Sequence, residues 1–308
     1  MNRSKITPCA VVVAGLSLAL TATRGGQDSP FAPLAQASLG RMLDVTWAKG
    51  PDLPQGFQDS DGGILHGTLV TVGGFCAGRP AAGKEGRYPR GFLKKAWGLD
   101  LKNPRNGWQA LPDFPGAARQ ELFGIVCGER LYCWGGFSYA APYCYGDGYR
   151  LSKAAGAWTW ERLPDLPWRI SSAGIGVIGS TIYVLGGADY DAAKFYTNGD
   201  RRGRVARLGA RLLAIDTSDL KAGWKELPPC PGTPRWLPAV AAVGGSLYVI
   251  GGATGNDNPG DPADGDRSGY HTVVDNWRYD AAAGRWDRLR DTPVATGNFP
   301  SGRIVYAD

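Results

Sequence analysis

Four times along the chain a glycine doublet closes a short apolar run. Residues 69–72 (LVTV) precede Gly73-Gly74, 131–134 (LYCW) precede Gly135-Gly136, 182–185 (IYVL) precede Gly186-Gly187 and 247–250 (LYVI) precede Gly251-Gly252. β-Branched and aromatic residues favour extended backbone, and a closing glycine pair permits a bend close to a neighbouring strand. Self-similarity of this kind marks a repeat architecture, in which each unit buries its apolar face only against the next. All 308 residues can then belong to one body rather than to two ordinary domains.

A tryptophan stands at nearly constant distance before each doublet, at 47 for 73, 108 for 135, 160 for 186 and 224 for 251, and Trp286 opens a further round. Each is followed by a Leu-Pro or similar step: Leu53-Pro54, Leu111-Pro112, Leu163-Pro164, Leu227-Pro228, and Leu289 after Trp286. The interval from one doublet to the next tryptophan varies widely. A fixed half and a variable half predict paired core strands with insertable loops. The glycine-rich run 239–244 turns at Gly245-Ser246 into 247–250, a third strand follows at 96–100, 148–151, 212–216 and 276–280, and the tryptophan lies on the fourth, outermost strand. No helical periodicity appears beyond the N-terminal segment.

These residues resemble the kelch repeat, in which a Gly-Gly doublet ends the second strand and a spaced aromatic and a tryptophan pack each blade against the next. The resemblance covers residues 45–308 and implies an all-β fold, a kelch-type β-propeller of four-stranded antiparallel blades around a central channel. The count predicts four rounds plus the start of another: 303–306 (RIVY) reads as a first strand without its hairpin partner. We expect an incomplete six-bladed ring, truncated at the C-terminus and lacking one or two blades of about fifty residues each. Thr46-Trp47 reads as an outer strand supplied early to the last blade.

The N-terminus reads as a signal peptide over 1–24, with Arg3 and Lys5 before the apolar stretch 10–20, which is short for a membrane span. A linker, 25–44, follows. The expected location is secreted or periplasmic, with no stable membrane span after signal cleavage. Against 34 Lys and Arg stand 28 Asp and Glu, scattered without a basic stripe. That distribution argues against nucleic acid and is compatible with small anionic ligands. After cleavage five cysteines remain, an odd number without metal spacing, and buried free thiols are the expectation.

Aligned on the doublets, Arg119, Arg169 and Arg235 fall sixteen or seventeen residues upstream, where the chain leads into its innermost strand; round one has Phe57 or Gln58. In a propeller such positions ring one mouth of the channel. Three guanidiniums there are candidates for an anion site, since each offers a planar fork to carboxylate or phosphate, or for backbone contacts that hold blades together. Trp168 and Trp236 flank two of them and can stack on a sugar or pack between loops. Glu121 is the candidate acid/base carboxylate, with Asp59 and Asp61 its counterparts in round one. The loop 256–266 carries many oxygen ligands but not an EF-hand, so no metal is expected, and no cofactor. His66, within the first hairpin, and His271 are the only histidines, too few for a metal cluster or a serine triad.

Two functional expectations follow. One is an exported binding propeller whose partner is a small anionic sugar or a protein or glycan. The other comes from a more distant resemblance to the exported sialic acid mutarotase (N-acetylneuraminate epimerase) family of kelch propellers, carried by export, the Leu-Pro steps and the arginines. It implies an enzyme interconverting sugar anomers. Where that family's carboxylate is sought, the third insertion, 196–202 (YTNGDRR), offers Asp200 and no glutamate. The copper galactose oxidases of the same fold use two tyrosines, two histidines and a Cys–Tyr crosslink, and no corresponding motif is present.

Overall fold

The computed structural model describes residues 46–78, 90–190, 205–255 and 270–293. The expected signal peptide, the linker, Asp200, the 256–266 loop and the 303–306 strand lie outside them. The chain divides into two units, Met1–Lys49 and Gly50–Asp308. In the first, residues 46–49 form no strand and Trp47 is exposed. The last blade, to which the sequence assigns Thr46-Trp47, lies outside the described residues; each of the four described blades draws its outer strand from its own segment.

The second unit holds four antiparallel four-stranded blades, each running from the innermost strand outward in chain order. Blade one comprises Asp61–Leu65, Thr68–Val72, Ala96–Asp100 and Trp108–Leu111; blade two, Phe123–Cys127, Arg130–Trp134, Gly148–Ala154 and Ala157–Leu163. Blade three comprises Gly174–Ile178, Thr181–Leu185, Leu212–Asp216 and Lys225–Leu227; blade four, Ala239–Val243, Ser246–Ile250, Trp277–Asp280 and Arg285–Arg288. Innermost strands of successive blades lie against one another. The hairpins between first and second strands are tight: in blade one, His66 and Gly67 both have positive φ, as a primed two-residue turn requires.

The core is not a single mass but a series of layers between blades. Val70, Val72 and Ala96 of blade one meet Leu131, Cys133 and Leu151 of blade two. Tyr132 and Trp134 of blade two meet Ile182, Val184 and Leu213 of blade three, and Tyr183 and Leu185 of blade three meet Leu247, Val249 and Tyr279 of blade four. Successive residues of a strand point to opposite faces, so the second strands of blades two and three each feed two layers.

The doublets are explained by two close approaches. Both glycines of each pair have positive φ. A Cβ on the first would stand 2.9 Å from the Arg119 carbonyl oxygen at Gly73, 2.5 Å from that of Ile170 at Gly135 and 2.4 Å from that of Arg235 at Gly186, each in the next blade. A Cβ on the second would meet the carbonyl of its own blade's lead-in residue, Gln58, Gln120, Ser171 or Trp236. The second glycine's N–H donates across the seam, Gly74 to Arg119, Gly136 to Ile170 and Gly187 to Arg235, at 2.8 to 3.0 Å. The doublet is thus a splice between blades that only glycine fits.

Indole N–H groups fasten the rim. Trp160 Nε1 donates to the Pro112 carbonyl (2.9 Å) and Trp286 Nε1 to that of Pro228 (2.8 Å), in each case the proline ending the preceding blade's outer strand. Trp108 Nε1 reaches the Pro51 carbonyl at 3.3 Å. Blade three differs, because Pro164 accepts instead from Trp134 Nε1 (3.0 Å) of blade two. Trp224 packs edge-on to Trp134, centroids 5.0 Å apart, and its own N–H has no acceptor. Trp134 stands where the other blades have Val72, Leu185 and Ile250, and it fits because Gly148 lies opposite: a Cβ there would come within 2.0 Å of the indole nitrogen.

Candidate functional site

Antiparallel order puts the start of each innermost strand and the connection between second and third strands at one end of the blades. We call it the lead-in face. Single bridges mark it, pairing Gln58 with Phe75, Gln120 with Phe137, Ser171 with Ala188 and Trp236 with Ala253. The following residues, Asp59, Glu121, Ser172 and Leu237, all have φ between +49° and +55°. Non-glycine residues rarely hold that conformation, and four at equivalent positions point to a shared constraint. The constraint is a chain of backbone hydrogen bonds from blade to blade: Glu121 N–H to Asp59 O (2.9 Å), Ser172 N–H to Glu121 O (3.1 Å) and Leu237 N–H to Ser172 O (2.7 Å).

Two carboxyl groups and a hydroxyl therefore sit side by side on adjacent blades. Ser172, 4 % exposed, donates its hydroxyl to Glu121 Oε2 at 2.5 Å, and Gln120 Nε2 donates to Oε1 at 3.3 Å. Burial pushes the Glu121 carboxyl up to about 7; the Ser172 hydrogen bond opposes the rise, and the charge of Asp59 adds to it. Asp59 is itself raised by burial, against a hydrogen bond from Gln58 Nε2 (3.0 Å). Asp61 is used differently: buried, it accepts the N–H groups of Gly62 (2.6 Å) and, across the seam, Gly124 (2.9 Å).

The arginines divide. Arg119 is 1 % exposed and forks onto Asp147 (2.6 and 3.0 Å). It also donates to the carbonyls of Ala117 and Gly135 and lies over the Tyr145 ring, 3.8 Å from its centroid. Arg235, equally buried, donates to Thr233 O, Gly251 O and Asp275 O and pairs with the Asp275 carboxylate. Burial works against the Asp275 charge, yet hydrogen bonds from Trp277 and Arg235 and the guanidinium's charge hold it below the usual carboxylate range. Each guanidinium is committed to its own blade. The third equivalent position, the one accepting from Gly136, belongs to Ile170 and not to Arg169. Arg169 is displaced by one residue and exposed.

Trp168 is half-buried beneath the Arg211 guanidinium, 4.3 Å from its centroid. Trp236 is buried in an apolar cluster with Phe137, Cys144, Ala188 and Ala253, a packing position. His66 is exposed in its turn, at the end of the blades away from the lead-in face. The five described cysteines are buried free thiols. No group of potential metal ligands occurs among the described residues, and no helix there is long and apolar enough to cross a membrane.

Ser172 carried no signal as a lone serine. Counting fourteen residues back from the first glycine of each doublet reaches Asp59, Glu121, Ser172 and Leu237 alike, and sixteen back reaches Phe57, Arg119, Ile170 and Arg235.

Blade order, glycine splices and indole contacts define a kelch-type β-propeller. The chain is a distant member of that class, related in sequence to proteins named N-acetylneuraminate epimerase. It is 33% identical over 129 residues to that of Haemophilus influenzae (strain PittEE), covering 42% of this chain and 27% of that protein. The Pasteurella multocida protein of the same name is 30% identical over 146 residues, 46% of this chain and 34% of that one. A Kelch domain-containing protein of Vibrio cholerae is 31% identical over 147 residues, 46% and 36% respectively. The aligned part thus spans about a third of the length of these relatives. The solved structure of YjhT matches with a TM-score of 0.57 and 17% identity over 79% of this chain and 68% of that one, a likeness of fold. No family model matches the chain.

Proposed function

We propose that this chain is an exported propeller that binds an anionic sugar at its lead-in face and interconverts the sugar's anomers with Glu121 and Asp59. The observation that carries the reading is the Glu121 carboxyl at about 7, beside a second raised carboxyl on the neighbouring blade. Opening a cyclic hemiketal takes the proton from the anomeric hydroxyl and delivers one to the ring oxygen as the bond from anomeric carbon to ring oxygen breaks. Closing on the other face reverses both transfers. Two carboxyl groups on neighbouring blades, one of them titrating near neutral pH, can supply an acid and a base for these transfers. The similarity to proteins named N-acetylneuraminate epimerase supports this substrate class, and the N-terminal sequence supports export to the periplasm or beyond.

The test is NMR of freshly dissolved N-acetylneuraminic acid. Anomers equilibrate faster with the protein present, and Glu121→Gln abolishes the acceleration. Binding without acceleration would leave a binding propeller and reject the catalytic reading; neither binding nor acceleration would reject the sugar.

A further inference from the structure

With Arg119 and Arg235 committed to Asp147 and Asp275, the anion needs another cation on the lead-in face. We propose that Arg90 and Tyr139 select the ligand there: the apolar face of a sugar ring lies on Tyr139 and its carboxylate pairs with Arg90. The inference rests on the sugar reading above and adds which end of the sugar is held by what.

Four aromatic rings meet across the seam between blades one and two. Phe75 and Phe137 are buried, Phe92 is half-buried, and Tyr139 is 51% exposed. Tyr139 meets Phe92, Phe137 and Phe75 edge-on, with centroids 4.8, 5.5 and 6.2 Å away. Three edges fix the ring while half of it remains in water. An aromatic surface ordered in advance binds with little loss of freedom, and the C–H face of a pyranose is the apolar side of a polar ligand that stacks on it. Arg90, exposed, lies over Phe75 with its guanidinium carbon 5.4 Å from the centroid, so a cation borders the aromatic group. A guanidinium fork fits a carboxylate bidentately.

Register ties this group to the acid pair. Phe75 bridges Gln58 and Phe137 bridges Gln120, and the next residues are Asp59 and Glu121. Both the rings and the carboxyls straddle the same seam. In this proposal a sugar acid on Tyr139 with its charge on Arg90 extends along that seam toward Asp59 and Glu121, and a carboxyl that titrates at about 7 opposes its negative charge less than an ordinary carboxylate would.

The experiment is a calorimetric titration of the full chain with N-acetylneuraminate and with its uncharged methyl ester. Arg90→Ala should weaken the acid about tenfold and leave the ester unchanged. Tyr139→Ala should weaken both about tenfold, while Tyr139→Phe, which keeps the ring, binds as the parent does. Near-UV circular dichroism of each variant establishes that the seam is intact. If the parent binds and Arg90→Ala affects ester and acid equally, or Tyr139→Ala binds as the parent does, this inference falls and the acid/base reading stands. A parent that binds neither compound overturns both.

Discussion

The backbone N–H of Glu121 donates to the carbonyl of Asp59 across the seam between blades one and two, 2.9 Å away. The bond joins the backbones that carry two carboxyl groups, each raised chiefly by burial. Burial holds Glu121 at about 7, above the ordinary glutamate value of 4.5. The folded state therefore binds a proton between those values that the unfolded chain has released, and stability falls as pH rises from about 4.5 to about 7. Glu121→Gln removes the dependence. Urea melts at pH 4 and pH 8 should show the variant gaining on the parent by about 3 kcal/mol at the higher pH.

Ser172→Ala removes a hydrogen bond that favours the ionised form of Glu121. The Glu121 value then moves above 7, and the alkaline limb of the anomer-exchange rate shifts to higher pH. Rate profiles between pH 5 and 9 measure it; an unmoved limb would assign the limb to another group.

Arg119→Ala strands Asp147 and two carbonyls inside blade two and should cost about 3–5 kcal/mol. Arg119→Lys restores the charge but not the fork and should recover only part of the loss. Chemical denaturation gives both numbers.

Trp160→Phe and Trp224→Phe remove similar ring area but differ in one bond. The Trp160 N–H has the Pro112 carbonyl, and the Trp224 N–H has no acceptor. Trp160→Phe should be the more destabilising by about 1 kcal/mol, read from denaturation midpoints.

The blades were legible because glycine doublets and tryptophans carry spatial requirements a sequence cannot hide: positive φ, a carbonyl within 3 Å, a proline to hydrogen-bond. The arginine positions were half legible. Arg119 and Arg235 fell in register, but whether a guanidinium faces a ligand or its own blade depends on Asp147 and Asp275, residues 28 and 40 positions away. Arg169 drew attention by its charge, while the register belongs to Ile170, whose part is played by its backbone. Glu121 stands out in the sequence as a carboxylate, whereas Ser172 is reached only by the fourteen-residue register, and its contact with Glu121 arises from the blade-to-blade hydrogen-bond chain.

The exchange of partners at Pro164 has a thermal consequence. Between blades one and two, and between three and four, an indole of the later blade is bonded to a backbone carbonyl at the end of the earlier one. Between two and three that polar bond is absent and Trp224 meets Trp134 through ring contact alone. Attraction between apolar surfaces weakens on cooling, whereas a bond to a carbonyl does not share that dependence. At its rim the second seam is thus expected to be the more cold-sensitive, its indole contact weakening on cooling where the neighbouring seams keep a bond to a carbonyl.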